Sequence, residues 1–398
     1  MGKSNSRRDF LKKGLTGITV AAIAPSLIKS EVKKTIEGKL IYRTIGKTGM
    51  KVPVVSMGVM NAENPKLVEA ALENGMNYLD TAHVYQRGRN EQMLGEVLKG
   101  VKRDSYFIAT KVPGNHADRK TGLYTDKTDP ADFLKKFEIS LNRLGLDYVD
   151  VLFLHSVKRK ESVTFKPLMS LMQKLKKEGK TKFIGVSTHR NEPEVIRAAA
   201  DSNVYDIVLT AYNFMQSNLA EMDKAINYAA GKGVGIIAMK TQAGVYWDKE
   251  KLQPINMKAA LKWSLQNKNI HTSIPGFTTF DQLNMDMEVA KDLKLTGQEM
   301  IDLKLKDKVA GLYCRQCDSC TGQCSKGVDI PTLMRSYMYA FGYKNLLQAK
   351  DTLADIDLKN LPCNDCSECE VTCSVGFNIK GKINEIAKID NIHDSFLA

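Results

Sequence analysis

Four side chains in the first half of the chain are of the types that proton transfer at a carbonyl requires. They are Asp80 in LDTAHVY, Tyr85 five residues on, Lys111 in IATKV and His155 in DYVDVLFLHS. A tyrosine with a pKa near ~10 is too weak an acid to protonate an alkoxide well. A neighbouring ammonium lowers that pKa, an aspartate keeps the lysine charged and placed, and a histidine can donate a hydrogen bond to the developing oxyanion. Each residue alone has an ordinary explanation: His155 as a satisfied core histidine, Asp80 as a helix cap.

A second group is more regular. Cys314, Cys317, Cys320 and Cys324 recur 49 residues later as Cys363, Cys366, Cys369 and Cys373, and these are all eight cysteines of the protein. Both runs, CRQCDSCTGQC and CNDCSECEVTC, are C-x2-C-x2-C-x3-C, the spacing of bacterial two-cluster ferredoxins. Three closely spaced thiolates on one turning loop can reach three irons of a cubane, and the fourth, on the departing segment, faces the other cluster. The expected ligation is Cys314, Cys317, Cys320 and Cys373 for one [4Fe-4S] cluster, with Cys363, Cys366, Cys369 and Cys324 for the second. Zinc knuckles and disulfides are rival uses of such cysteines. Ser325 and Ser374 stand where ferredoxins usually carry proline.

The elements that would position the four polar residues are legible as apolar runs. VVSMGVM, MNYLDTA, YFIATKV, YVDVLFLH, FIGVSTH, YDIVLTAYN, VGIIAMKT and HTSIPGF read as eight buried parallel strands. Between them, segments such as PKLVEAALENG and PADFLKKFEISLNRLG have helical spacing, and several end in glycine. Eight β-then-α units predict a (β/α)8 TIM barrel, an α/β fold whose strand C-termini converge on one active face. LIYRTIGKTGMKVPVVS predicts a hairpin closing the barrel bottom. The expected organisation is a leader over 1–34, the barrel over 38–306 and a small α-rich, ferredoxin-like iron-sulfur domain over 307–398.

Bulk properties limit the partners. The 398 residues carry a formal charge of +13, with 43% hydrophobic and 26% charged residues, ordinary for a globular protein. Residues 1–34 hold eight basic residues against Asp9 and Glu31, so about half the excess sits in the leader. No motif supports nucleic-acid binding. SRRDFLKKG, with Arg7 and Arg8 ahead of the weakly apolar LTGITVAAIAPSLI, resembles a twin-arginine signal. It predicts export to the periplasm by the twin-arginine translocon, with the leader removed or kept as a membrane anchor.

The barrel motifs resemble the aldo/keto reductase family over roughly residues 38–300. DTAHVY followed by RNEQMLG is similar to the family's second βα unit, LDYVDVLFLH to its fourth strand and GVSTH to its fifth. The resemblance implies that Asp80, Tyr85, Lys111 and His155 are its catalytic tetrad. It also implies a nicotinamide cofactor, NADP or NAD, with Ser187 and Thr188 at the carboxamide and Tyr212 stacked on the ring. Here the sequence departs from the pattern: Leu209 replaces the carboxamide-binding glutamine, Gln282 the basic residue at the 2′-phosphate, and Met285 and Asp286 a Glu-Asn pair. Pro275 and Gly276 keep the eighth-strand motif. Lys240 could approach the pyrophosphate, His189 the pocket, and Tyr246 and Trp247 the substrate.

Two functions remain open at this stage. One is a reductase or dehydrogenase acting on a small carbonyl/alcohol pair, with the clusters relaying electrons to a redox protein or serving as structure. The other is an electron-transfer protein whose barrel docks a partner.

Overall fold

The computed structural model describes residues 39–118, 121–243, 255–304, 314, 319–354, 356, 358, 361, 363, 366, 368–374 and 376–397. The expected leader, Tyr246, Trp247 and Cys317 lie outside them. The chain enters on an antiparallel pair, β1 (Tyr42–Thr44) and β2 (Lys51–Pro53). Ile45, Met50 and Val52 of this hairpin join Tyr78, Phe153, Leu209 and Ile237 in one buried cluster, so the hairpin plugs the bottom of the barrel as its sequence predicts. The approach is close. A Cβ on Gly235 would lie 2.3 Å from the Ile45 side chain.

Eight parallel strands follow: β3 (Met57–Gly58), β4 (Tyr78–Asp80), β5 (Phe107–Pro113), β6 (Val149–His155), β7 (Thr181–Thr188), β8 (Ile207–Ala211), β9 (Gly235–Met239) and β10 (Thr272–Ser273). They are ordered by sequence, and bridges Val55–Ser273 and Gly58–Gly276 join the last strand to the first. The sheet is thereby a (β/α)8 barrel. Its strands are apolar on both faces because one face fills the interior and the other meets helices.

The helices start and stop where local chemistry dictates. In α1 (Pro65–Glu73) the Asn64 side chain accepts from Lys66 N, with proline in the first turn. The next helices are α2 (Arg89–Leu98) and α3 (Pro130–Leu144); Asp129 caps α3, and Gly145 ends it at φ 64°, in the left-handed region that glycine enters freely. Later come α4 (Lys166–Lys177), α5 (Glu192–Ser202), α6 (Leu219–Gly231), α7 (Met257–Gln266) and α8 (Phe280–Lys291).

The described part of the tail is helical. It contains α9 (Ile330–Tyr337), which runs on into a π-helical turn over Met338–Gly342, then α10 (Leu346–Thr352) and α11 (Ile379–Ala387). Leu333, Met334, Ile379, Ile383 and Ile386 form a second buried core, with Cys314, Cys320, Cys324, Cys363 and Cys373 packed against it. The tail is fastened over the ends of the barrel strands. Asn345 donates to Asn61 at 2.7 Å, Arg190 reaches Asp329 at 3.1 Å, and Arg87 pairs with Asp351 and Asp394 at 2.9 and 2.8 Å. No helix among the described residues is long and apolar enough to cross a membrane.

Candidate active site

Strand parity gathers the polar residues. Tyr78, Ala109, Val151 and Phe153 belong to the interior cluster, and alternate residues of a strand share a face. Asp80, Lys111 and His155 keep that parity, so all three emerge on the interior side at the C-terminal strand ends. Tyr85 arrives from the loop after β4, just before α2.

The Lys111 ammonium is buried and makes three contacts: with the Asp80 carboxylate, with the Thr81 carbonyl at 2.7 Å, and with the Tyr85 hydroxyl at 3.2 Å. Burial raises the Asp80 carboxyl and lowers the Lys111 ammonium, and their mutual contact opposes both shifts. Burial, and then Asp80, push the Tyr85 phenol upward rather than downward. The direction differs from the sequence expectation because the phenol loses its water and meets the aspartate's charge. In this state Tyr85 is a neutral donor. Its oxygen lies beside an ammonium that would compensate the charge left when the proton goes. The His155 ring meets Tyr85 edge-on, with centroids 6.0 Å apart. Burial, and then Lys111 and Arg335, hold His155 well below its ordinary pKa, so it is a neutral imidazole.

Two strand ends here are strained. Ser156, after β6, and Lys240, after β9, have φ of 57° and 56°, a region that residues with a Cβ rarely adopt. The Lys240 Nζ is buried without a hydrogen-bond partner and lies 5.6 Å from the Tyr339 ring centroid. Burial, then Arg335, lower it to about 7.

Three adjoining cavities open at this end. One of about 120 Å³ touches Asp80, Tyr85, His189, Lys240, Pro275 and Tyr339. A second, of about 440 Å³, runs from Lys240 past Gly276 and Thr278 to Gln282, Met285 and Asp286. The third, of about 490 Å³, lies on the other side, against Tyr85, His155, His189 and the tail. The Gln282 side chain accepts from Thr278 N at 2.8 Å. Asp286 is buried, its Oδ1 has no partner, and burial pushes its carboxyl up to about 8.

The other expected cofactor contacts are less convergent. Ser187 Oγ accepts from Ser156 N at 3.0 Å, and Thr188 Oγ1 donates to the Arg190 carbonyl at 2.8 Å. Tyr212 lines none of the three cavities. Its ring stacks on Trp263 with centroids 5.3 Å apart, and its hydroxyl donates to Asp223 at 2.7 Å. Ile207 and Leu209 point into the barrel, so residue 212 falls on the opposite parity, toward the helices.

Comparison with known proteins gives the family. Residues 49–259 match the aldo/keto reductase family. The chain belongs to that family. It is 27% identical over 303 residues to an L-galactose dehydrogenase of Arabidopsis thaliana, covering 66% of this chain and 91% of the relative. It is 28% identical over 282 residues to a glyoxal reductase of Bacillus subtilis, covering 66% and 92%. Among solved structures, an aldo-keto reductase from Bacillus halodurans superposes with a TM-score of 0.55 at 23% identity, covering 70% of this chain and all of that one. As a member of the aldo/keto reductase family, the protein is an oxidoreductase.

This aldo/keto reductase differs from a bare barrel in what the tail adds. Arg335, Tyr339 and Tyr343 lean over the strand ends and line the cavities, and no short-range pattern in the sequence marks them. His83, also unremarked in the sequence, lines the third cavity beside Arg143; its Nδ1 lies 3.1 Å from Ser140 Oγ, and burial, then Arg143 and Lys136, lower it to about 4.

Cys324, Cys363, Cys366 and Cys369 line one cavity of about 210 Å³ together with Lys380. Burial, followed by Cys324, Cys366 and Cys369, pushes the Cys363 thiol up. The two cysteine loops are tied together where Gln323 Oε1 accepts from Thr372 N at 2.8 Å. Among the described residues, no group of three or more His, Cys, Asp or Glu side chains is drawn together at metal-binding distance. The donor chemistry of four thiols around one cavity fits a cluster whose fourth ligand comes from the other motif.

Proposed function

We propose that the protein interconverts a carbonyl and an alcohol with a nicotinamide nucleotide, NADP or NAD, using Tyr85 as general acid/base. The observation that carries this reading is the Lys111 ammonium, buried in contact with Asp80 and at hydrogen-bond distance from the Tyr85 hydroxyl. When bound, the nucleotide would supply or accept the hydride at the carbonyl carbon. Its site would be the cavity from Lys240 and Pro275–Gly276 to Gln282. The buried, unpartnered Lys240 ammonium supports this, since an anionic pyrophosphate would satisfy it.

Within the chain, Tyr85 gives its proton to the carbonyl oxygen. Lys111 stabilises the phenolate that remains, Asp80 holds Lys111 charged and in place, and neutral His155 donates to the developing oxyanion. Tyr339 and Tyr343 of the tail wall the cavity at Tyr85, and the less water there, the stronger each of these interactions.

The reading extends to two [4Fe-4S] clusters, supported by the doubled C-x2-C-x2-C-x3-C motif and the four-thiol cavity. It also includes twin-arginine export of the folded, loaded protein, supported by Arg7, Arg8 and the apolar run after them. The test is anaerobic purification followed by iron and sulfide analysis and assay of nicotinamide-dependent carbonyl reduction. About eight irons with measurable turnover are expected. Stoichiometric zinc would end the cluster assignment, and absence of turnover across aldehydes, ketones and oxo acids would end the catalytic one.

A further inference from the structure

The 490 Å³ cavity on the His155 side has a charge pattern that nothing in the proton-transfer chemistry explains. Three arginines line it: Arg87, Arg143 and Arg335. Two are matched, Arg87 by Asp351 and Asp394, and Arg143 by Glu91 at 3.2 Å. Arg335 has no carboxylate partner among the described residues. Among those residues it donates to Thr332 Oγ1, at 3.2 Å, one turn back on its own helix. Among the described residues the one acidic side chain in the cavity wall is Asp351, already held by Arg87.

Placement separates this cation from nucleotide binding. Arg335 lines the cavity that holds His155 and Pro113, whereas the cavity running to Gln282 and Asp286 does not include it. It is also supplied by the tail, through α9, so the wall facing the tetrad is completed by a segment outside the barrel. We propose that this aldo/keto reductase takes a substrate bearing a carboxylate, an oxo acid or hydroxy acid, whose carboxylate is bound by Arg335 while its carbonyl meets Tyr85 and His155. The guanidinium fork matches the two oxygens of a carboxylate, and a bond charged on both sides is stronger than a neutral one. A single free cation suits a monoanion; a phosphate dianion would call for more than one. The near neighbours agree in sign, since Arg335 is among the groups holding His155 and His189 uncharged, leaving donors rather than competing acids around the anion.

The inference rests on the catalytic reading above, and the experiment separates the two. Short-chain oxo acids, each beside its methyl ester, are assayed with the cluster-loaded wild type, Arg335→Ala and Arg335→Lys. Wild type should favour the acids. Arg335→Ala should raise KM for the acids by about 10- to 100-fold, the range for losing a charge-assisted bond, with esters changed by less than about 2-fold. Arg335→Lys should fall between. Equal effects on acids and esters, or a preference for phosphate esters over both, would overturn the proposal while leaving Tyr85 chemistry intact. If wild type reduces no carbonyl at all, calorimetry with a saturated carboxylate of the same length still decides the matter. Binding lost in Arg335→Ala upholds the anion site, and equal binding by both proteins refutes it.

Discussion

Lys240 at the end of a barrel strand and Tyr339 in the tail face each other, ammonium to ring, across 5.6 Å. The lysine has no hydrogen-bond partner and a strained backbone, so its position is imposed by what surrounds it. The tail is therefore part of the site's wall. Tyr339 stands in the π-helical turn that continues α9, and such turns shift the register of the side chains after them. Tyr339 and Tyr343 line one small cavity together with Tyr85 at the mouth of the barrel.

Tyr85→Phe should reduce turnover by about 100-fold or more, the usual scale for a positioned proton donor, with nucleotide affinity changed by less than about 2-fold. The Lys111–Asp80 contact does not depend on the phenol, so the melting temperature should stay close to wild type. Stopped-flow nucleotide binding beside steady-state assay checks both halves. Wild-type turnover in this variant would remove Tyr85 from the chemistry.

Lys111→Met should abolish turnover and also destabilise the fold, because it leaves the Asp80 carboxyl buried without its cation. Removing one member of a buried pair costs about 3–5 kcal/mol. The double variant Asp80→Asn with Lys111→Met should regain much of that stability and none of the activity. Thermal melts of the two variants test this. Equal melting temperatures would mean that the pair is not the source of the loss.

The convergence of Asp80, Lys111 and His155 was readable because strand position and parity set it. Buried parallel strands are continuous apolar runs, and parity within each run sends Asp80, Lys111 and His155 to the same side as Tyr78, Ala109 and Phe153. The same parity sends Tyr212 to the helix layer, where it stacks on Trp263; family likeness alone had suggested the opposite face. Arg335 and Tyr339 were not readable. They reach the site from a different hydrophobic core, 180 or more residues after His155, and no local pattern encodes that docking. The direction of the Tyr85 shift was also hidden, because it depends on how completely the loop after β4 is covered.

Asp286 gives a pH signature. Its carboxyl ordinarily titrates at 3.8 and is pushed up to about 8 by burial. The folded state thus holds this proton more tightly than the unfolded chain, and stability falls as pH rises between those values. The slope from this group approaches about 1.4 kcal/mol per pH unit within the window. Asp286→Asn should melt higher than wild type at pH 7 in the nucleotide-free protein, with the advantage shrinking toward pH 4. An unchanged pH slope would show that the carboxyl is solvated.

The crossed wiring proposed for the two clusters can be tested cysteine by cysteine. Cys324 belongs by sequence to the first motif, yet it lines the same cavity as Cys363, Cys366 and Cys369 of the second. Those thiols act on Cys363 together, and the Gln323–Thr372 bond holds the two loops at this spacing. Cys324→Ser should therefore disturb the cluster proposed for the second motif and spare the one proposed for Cys314, Cys317 and Cys320. Cys373→Ser should do the reverse. Reduced samples of each variant, prepared anaerobically and followed by electron paramagnetic resonance with iron analysis, distinguish the sites. A Cys324→Ser protein that loses the first-motif signal and keeps the other would show that each motif holds its own cluster.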